Sequence, residues 1–397
     1  MSVTEQTADK MKSEVFGEIS LKIEDLCVDF LLSGGDLHAI YHLDFELPAH
    51  KMTGLVGESG SGKTTLTSAI LRSVSTPGEI TQGKIWFENE DVVKLSNDKL
   101  RKYRWRDVAM VFQAAQNSLN PSMTIREQFA ETILAHRKNA GNKEMEEISK
   151  RLLKQVKLEP ERILRSYPHE LSGGMKQRVM IAFAQLLDPP ILLLDEPTTA
   201  LDVITQDYIF TLIRQMHDRT ENTMLLSTHD IAIVARVCDY MAVMYGGRIV
   251  EMGDIFTMFE KPVHPYTQML IKAAPSLVGE LKERVAIPGS APDLMKTHKG
   301  CIFMRSSLTD VHIVKSGVEQ KSQNLSSLEK NIWRPATEPI LPGRRDSDGE
   351  SSIRGKNNIV RENIVSENTG CRTFSCGGQF QEKDRIVQES RLCQCTA

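Results

Sequence analysis

Residues 57–64, Gly-Glu-Ser-Gly-Ser-Gly-Lys-Thr, decide the fold that this sequence predicts. They fit the pattern G-x-x-x-x-G-K-[ST] and follow a short apolar run, 52–56. Beyond them, Leu66, Ala69 and Ile70 share one helical face. Glycine lets the backbone fold closely around an anion, so that successive N–H groups and the start of the helix point at phosphate. The order strand, loop, helix therefore predicts a phosphate-binding loop.

Every residue of this loop and its first helical turn is a candidate nucleotide contact. The candidates are Gly57, Glu58, Ser59, Gly60, Ser61, Gly62, Lys63, Thr64 and Thr65. We expect the Lys63 ammonium group to reach the β- and γ-phosphates of ATP, and the Thr64 hydroxyl to bind Mg²⁺.

A second apolar run ends in two acids, in the stretch 191–197, Ile-Leu-Leu-Leu-Asp-Glu-Pro. A carboxylate at the end of a buried strand is expected to bind a cation or to transfer a proton. Asp195 is the expected Mg²⁺ partner, and Glu196 is expected to orient, or take a proton from, the water that attacks the γ-phosphate. Taken alone, the segment could also be an acidic turn after a core strand.

Composition sets limits on the classes of function. The chain has 397 residues, 40% of them hydrophobic, with a formal net charge of −3, so no basic excess indicates nucleic acid. Its apolar runs are far shorter than the ~18 to 20 residues that span a bilayer. The first 20 residues are polar, unlike a secretory signal, and the seven cysteines form no disulfide framework. We therefore expect a soluble globular protein in the cytoplasm.

Apolar runs and turn signals alternate along most of the chain. An antiparallel pair is predicted at 21–30 and 38–47, and a mostly parallel sheet is indicated by runs at 52–56, 108–112, 191–194 and 224–227. Gly246-Gly247, between runs at 241–245 and 248–252, is typical of a hairpin, which we expect to close the N-terminal β subdomain.

Two further motifs complete a recognisable set. Ser-Gly-Gly opens an apolar helical stretch within 171–179, Leu-Ser-Gly-Gly-Met-Lys-Gln-Arg-Val, and a histidine follows a strand in 226–230, Leu-Ser-Thr-His-Asp. With the phosphate loop and the acid pair, these residues resemble an ATP-binding-cassette (ABC) ATPase over 21–295. The resemblance implies a P-loop α/β cassette with an N-terminal antiparallel β subdomain and a helical signature subdomain.

The resemblance also implies roles for residues outside the phosphate loop. Two cassettes stack head to tail, so that each ATP lies between the phosphate loop of one and Ser172, Gly173 and Gly174 of the other. Asp202 would couple the two sites across the dimer. Gln113 would contact Mg²⁺ and water and pass the nucleotide state to transmembrane partners; without the other motifs it would be interpreted as a surface glutamine.

His229 resembles the histidine that senses γ-phosphate, although taken alone it would be interpreted as a core histidine. Phe30 is the aromatic residue expected to stack on adenine, with Tyr41 as the competing choice.

Several stretches are similar to the dipeptide, oligopeptide and nickel importer group, including His264-Pro265-Tyr266 and the Pro-Gly segment at 287–292. That similarity implies two transmembrane permease subunits, a second ABC ATPase subunit and an extracytoplasmic solute-binding protein, with the chain at the cytoplasmic face of the membrane. The predicted division is an extension (1–20), a nucleotide-binding domain (21–260), an importer-type extension (261–305) and a polar, poorly structured tail (306–397).

The sequence departs from the group at its cysteines. Cys301 matches the first of four cysteines that hold an iron–sulfur cluster in some members, but the second is missing, so no cluster is expected. Cys371, Cys376, Cys393 and Cys395 do not match that spacing. We interpret these four cysteines as reduced thiols on the tail, with a metal site or redox reactivity as alternatives.

Three alternatives to peptide import stay open. The first is an importer ATPase for nickel or another small solute. A soluble cassette ATPase acting on nucleic acid or ribosomes would need tandem cassettes, a coiled-coil insertion or a basic surface, which this sequence lacks. An exporter or non-hydrolysing cassette is disfavoured by the importer-type segment and by the presence of Glu196 and His229.

Overall fold

A computed structural model describes residues 18–113, 117–199, 201–273, 292–296 and 302–303. The predicted tail (306–397), with its four cysteines, and Cys301 lie outside the described residues, as do 1–17 of the predicted N-terminal extension and most of the Pro-Gly segment.

The described residues form ten strands in two sheets. They are β1 (Ile19–Leu32), β2 (Gly35–Pro48), β3 (Met52–Val56), β4 (Gly78–Phe87), β5 (Glu90–Asp91), β6 (Val108–Val111), β7 (Ile191–Asp195), β8 (Thr223–Thr228), β9 (Tyr240–Tyr245) and β10 (Arg248–Asp254).

The first sheet is antiparallel, in the order β2-β1-β4-β5. Its first two strands are joined by a tight turn in which Leu32 faces Gly35. The antiparallel pair predicted at 21–30 and 38–47 is confirmed, with each strand extended by a few residues.

The second sheet has the order β10-β9-β3-β8-β7-β6, and only the β9–β10 pair in it is antiparallel. The mostly parallel sheet predicted from the apolar runs is confirmed. The hairpin at Gly246-Gly247 is also present, but its expected place in the N-terminal β subdomain was wrong. Its first strand pairs in parallel with β3, with Thr53 facing Tyr240, so the hairpin forms one edge of the second sheet.

The described part of the chain contains ten α-helices. They are α1 (Lys63–Ile70), α2 (Asn97–Arg106), α3 (Ile125–His136), α4 (Asn142–Gln155), α5 (Pro160–Arg165), α6 (Gly173–Ala184), α7 (Val203–Thr220), α8 (Ile231–Val237), α9 (Ile255–Glu260) and α10 (Pro265–Ala273). None of these helices is long and apolar enough to cross a membrane.

The parallel strands of the second sheet are buried on both faces, which explains why they are mostly apolar. Met52 and Val56 of β3 face the core shared with most of the helices, whereas Leu55 faces the core between the two sheets. Gly54 allows α8 to approach closely, because a Cβ there would lie 2.4 Å from Cγ1 of Val234.

The helical subdomain consists of α3 to α6, which pack on one another. Local capping sets its helix starts: Thr124 and Glu127 form a reciprocal capping box at α3, and the Ser172 hydroxyl accepts the Met175 N–H at α6.

Candidate functional site

The phosphate loop joins β3 to α1, as the sequence predicts. Gly62 precedes the helix with a φ of 104°, a conformation that side chains disfavour. A Cβ at Gly62 would also lie 2.6 Å from the backbone oxygen of Ala39 in β2. The loop therefore requires glycine at this position for both conformation and space.

Lys63 is folded back across the loop. Its side chain is almost fully buried, and its Nζ donates to the backbone oxygens of Gly57 (2.8 Å) and Glu58 (2.9 Å). Burial lowers the pKa of Lys63, and the nearby carboxylates of Glu196, Asp195 and Glu58 oppose that change. The loop thus holds a buried cation beside a group of acids.

Three predicted catalytic residues meet where β6, β7 and β8 end. Because these parallel strands are neighbours, the residues after them lie along one edge of the sheet. Gln113 Nε2 donates to Glu196 Oε2 at 3.2 Å, and His229 Nδ1 lies 3.6 Å from Glu196 Oε1. The His229 side chain is 74% exposed, so it is not a core histidine.

Glu196 is held by its backbone as well as by its side chain. It has a φ of 43°, and its N–H donates to the Ser227 backbone oxygen at 3.0 Å. The Thr199 hydroxyl donates to Glu196 Oε2 at 3.2 Å. Glu196 is therefore fixed at the tip of β7, with one carboxylate oxygen directed at Gln113 and the other near His229.

Asp195 is a buried carboxylate at the end of β7. Among the described residues, neither of its oxygens makes a hydrogen bond of normal geometry, and the nearby Ser227 hydroxyl is equally unpaired. Burial raises the pKa of the Asp195 carboxyl, while the adjacent hydroxyls of Thr64 and Ser227 and the charge of Lys63 oppose this change. An orphaned carboxylate beside a threonine hydroxyl fits the oxygen ligands that Mg²⁺ prefers.

The signature residues and Asp202 lie together at two exposed helix starts. Ser172 and Gly173 are exposed at the beginning of α6, and Asp202 caps α7 by accepting from Thr205 N (2.9 Å) and Oγ1 (2.6 Å). These hydrogen bonds lower the pKa of Asp202. A Cβ at Gly174 would lie 2.9 Å from Thr205 Cγ2, so the two helix starts are neighbours. Of the hydrogen bonds described, none joins them to the phosphate loop of the same chain.

Phe30 and Tyr41 occupy different surroundings. Phe30 is half-buried in β1, opposite Gly78. The Tyr41 ring lies 4.8 Å from the guanidinium carbon of Arg248, and its backbone N–H donates to Gly247 at 3.1 Å. Within the described residues, no ring contact or hydrogen bond joins Phe30 to the phosphate loop, and its adenine contact stays a prediction.

Sequence reasoning missed two groups at the site. Ser227 lies in the strand before His229, and its position at the tip of an apolar run is a signal that could have identified it. Tyr266 accepts a hydrogen bond from the N–H of Glu58 at 3.2 Å. Because the two residues are 208 positions apart, no local pattern indicates that contact.

Comparison with known families matches two regions of the chain. Residues 40–199 match the family described as ABC transporter. Residues 250–306 match the family described as oligopeptide/dipeptide transporter, C-terminal region.

Individual relatives and structures agree with these matches. The chain is 40% identical to the dipeptide transport ATP-binding protein DppD of Caldanaerobacter subterraneus, over 72% of this chain and 87% of that protein. It is also 40% identical to the oligopeptide transport ATP-binding protein OppD of Escherichia coli, over 76% of this chain and 89% of that protein. A solved dimeric, post-hydrolysis structure of the ATP-binding cassette MJ0796, bound to ADP and Pi, superposes with a TM-score of 0.53 at 28% identity, covering 59% of this chain and 98% of that one.

Proposed function

Since the chain belongs to the ABC transporter ATPases, in the dipeptide and oligopeptide group, we propose that it binds and hydrolyses ATP to energise peptide import. The observation that carries the hydrolytic part is the edge of the second sheet, where Gln113 and His229 lie beside Glu196 and the charge of Glu196 acts on Lys63 of the phosphate loop. The match of 250–306 to the oligopeptide and dipeptide family supports the choice of cargo.

Each residue at this edge has a distinct chemical task in the proposed mechanism. Lys63 exchanges the Gly57 and Glu58 carbonyls for phosphate oxygens of ATP and stabilises their charge. Glu196 orients the attacking water and accepts its proton as the bond to the γ-phosphorus forms and the bond to ADP breaks. Gln113 holds the Glu196 carboxylate in position through its amide.

The remaining site residues act on the metal, on the γ-phosphate or across a dimer. Asp195 and Thr64, with Gln113, would hold Mg²⁺, which when bound neutralises charge on the phosphates. His229 would contact the γ-phosphate from the end of β8.

The exposed starts of α6 and α7 carry Ser172 to Gly174 and Asp202, and we assign them to the nucleotide of a second cassette. Closure of that dimer by ATP and its reopening after hydrolysis would be transmitted to two permease chains through the Gln113 region.

The catalytic assignment is tested by Glu196→Gln. We expect ATP binding to remain and the hydrolysis rate to fall by about 10²- to 10⁴-fold, the usual contribution of a general base. The matched control is Glu131→Gln, which removes an exposed carboxylate of α3 and should leave the rate unchanged. Hydrolysis by Glu196→Gln at the control rate would remove Glu196 from this role.

The transport assignment is tested by affinity purification from gently solubilised native membranes, followed by uptake assays. We expect two permease chains, a second cassette and a solute-binding protein to co-purify, and ATP-dependent uptake of labelled di- or tripeptides by vesicles containing the complex. Uptake of Ni²⁺ without peptide uptake would favour the nickel alternative. Recovery with ribosomes or DNA would contradict transport.

A further inference from the structure

The segment that follows β10 lies against the phosphate loop. Tyr266, at the start of α10, is fully buried, and its hydroxyl oxygen accepts the backbone N–H of Glu58 at 3.2 Å. Glu58 is the second residue of the loop. A residue from the importer-type extension therefore contacts the nucleotide-binding backbone directly.

The turn that carries Tyr266 is fixed by buried polar contacts. The carboxylate of Glu251, a fully buried residue of β10, accepts the N–H groups of Val263 (2.7 Å) and His264 (3.0 Å). The N–H of Tyr266 donates to Nδ1 of His264 at 3.2 Å, which requires a ring nitrogen without a proton. The Tyr266 ring also packs 4.4 Å from the ring of Tyr245 in β9. These hydrogen bonds and ring contacts together fix the position of Tyr266.

The backbone of Glu58 is held at both its N–H and its carbonyl. Tyr266 accepts from its N–H, and Lys63 donates to its carbonyl at 2.9 Å. When Lys63 turns toward phosphate, the carbonyl loses its partner, whereas the bond to Tyr266 does not depend on Lys63. This bond would therefore remain while the lysine changed partners.

We propose that Tyr266 is a positioning residue that holds the phosphate loop in its nucleotide-binding shape, so that the extension containing it sets the affinity for nucleotide. A loop fixed before binding loses less conformational entropy when phosphate arrives. This inference rests on the proposed function, since it requires that the loop bind nucleotide.

The test is Tyr266→Phe in the full chain, which keeps the ring and removes the hydroxyl. We expect the dissociation constants for ATP and for ADP, each measured with Mg²⁺ by calorimetry, to rise by about tenfold, the order of one hydrogen bond. Both should rise by the same factor, because both nucleotides present a β-phosphate to the loop.

The matched control is Tyr103→Phe. Its buried hydroxyl donates to the backbone oxygen of Ile70 at 3.1 Å, at the far end of α1 from the loop. Thermal unfolding without nucleotide should show similar destabilisation of the two variants, while only Tyr266→Phe loses affinity. A second variant, Glu251→Gln, weakens the support of the turn and should lower nucleotide affinity in the same direction.

Lys63→Ala distinguishes failure of the positioning role of Tyr266 from failure of the phosphate-loop assignment. If Lys63→Ala loses nucleotide affinity and Tyr266→Phe binds as the wild type does, the positioning role is overturned and the phosphate-loop assignment stands. Equal affinity losses in Tyr266→Phe and Tyr103→Phe would also overturn it, because the cause would then be general destabilisation. Unchanged affinity in Lys63→Ala would refute the loop assignment and the inference together.

Discussion

His264→Asn should remove a pH dependence from the stability of the nucleotide-free protein. Burial lowers the pKa of His264 to about 4, from 6.5 for the ordinary side chain. The unfolded chain therefore binds a proton at mildly acidic pH and the folded protein does not, so stability is lost as the pH falls from 6.5 toward 4. Integrated between pH 7.5 and 5.0, this linkage costs the wild type about 2 kcal/mol.

The assay is urea unfolding of the wild type and His264→Asn at several pH values in that interval. Asparagine can place its Oδ1 where Nδ1 accepts the Tyr266 N–H, but it does not titrate. Burial also lowers the pKa of His217, but that residue is present in both proteins and cancels in the comparison. On acidification from pH 7.5 to 5.0, we expect the free energy of unfolding of the wild type to fall by about 2 kcal/mol relative to that of the variant. Parallel stability curves would refute the reasoning.

Three further substitutions test packing, the loop and the acid pair. Gly54→Ala should destabilise the protein by about 2 kcal/mol, since its Cβ would lie 2.4 Å from Val234 Cγ1; an unchanged urea midpoint would contradict the packing. Gly62→Ala should weaken ATP binding at least about tenfold in calorimetry, because its Cβ would meet the Ala39 oxygen at 2.6 Å, and wild-type affinity would show that the loop tolerates the strain. Asp195→Asn should abolish ATP hydrolysis yet raise the melting temperature of the nucleotide-free protein by about 2 to 4 °C, because it removes a buried carboxylate whose charged form burial destabilises. A lower melting temperature would mean that Thr64, Ser227 and Lys63 stabilise the carboxylate by more than burial destabilises it.

The parts of the fold that the sequence predicts well are those specified by neighbouring residues. The run 52–56 has the same first and last residues as strand β3, because a strand buried on both faces is mostly apolar along its length. Similarly, the glycines and Lys63 of the phosphate loop have local conformational and chemical requirements that a short pattern expresses. The resemblance to ABC ATPases selects Gln113 and His229, and the rule that parallel strands end on one side explains why they meet Glu196.

The parts that escaped prediction depend on contacts between distant segments. The glycine pair at 246–247 specifies that β9 turns back into β10, but it does not specify which sheet the pair joins. The contact of Tyr266 with Glu58 likewise depends on how the chain after β10 packs on the loop. Neither the sheet that the β9–β10 pair joins nor the Tyr266–Glu58 contact is indicated by a periodic pattern in the sequence.

The place of β3 in its sheet has a consequence for biosynthesis. Both neighbours of β3 come much later in the chain, since Met52 faces Met224 of β8 and Thr53 faces Tyr240 of β9. The phosphate-loop strand therefore leaves the ribosome long before the segments that pair with it. Until they emerge, the backbone hydrogen-bonding groups on both edges of this apolar strand have no partner strand. We expect nascent chains that stop before β9 to be captured by chaperones or to aggregate, so that ATP-binding competence arises only after most of the cassette has left the ribosome.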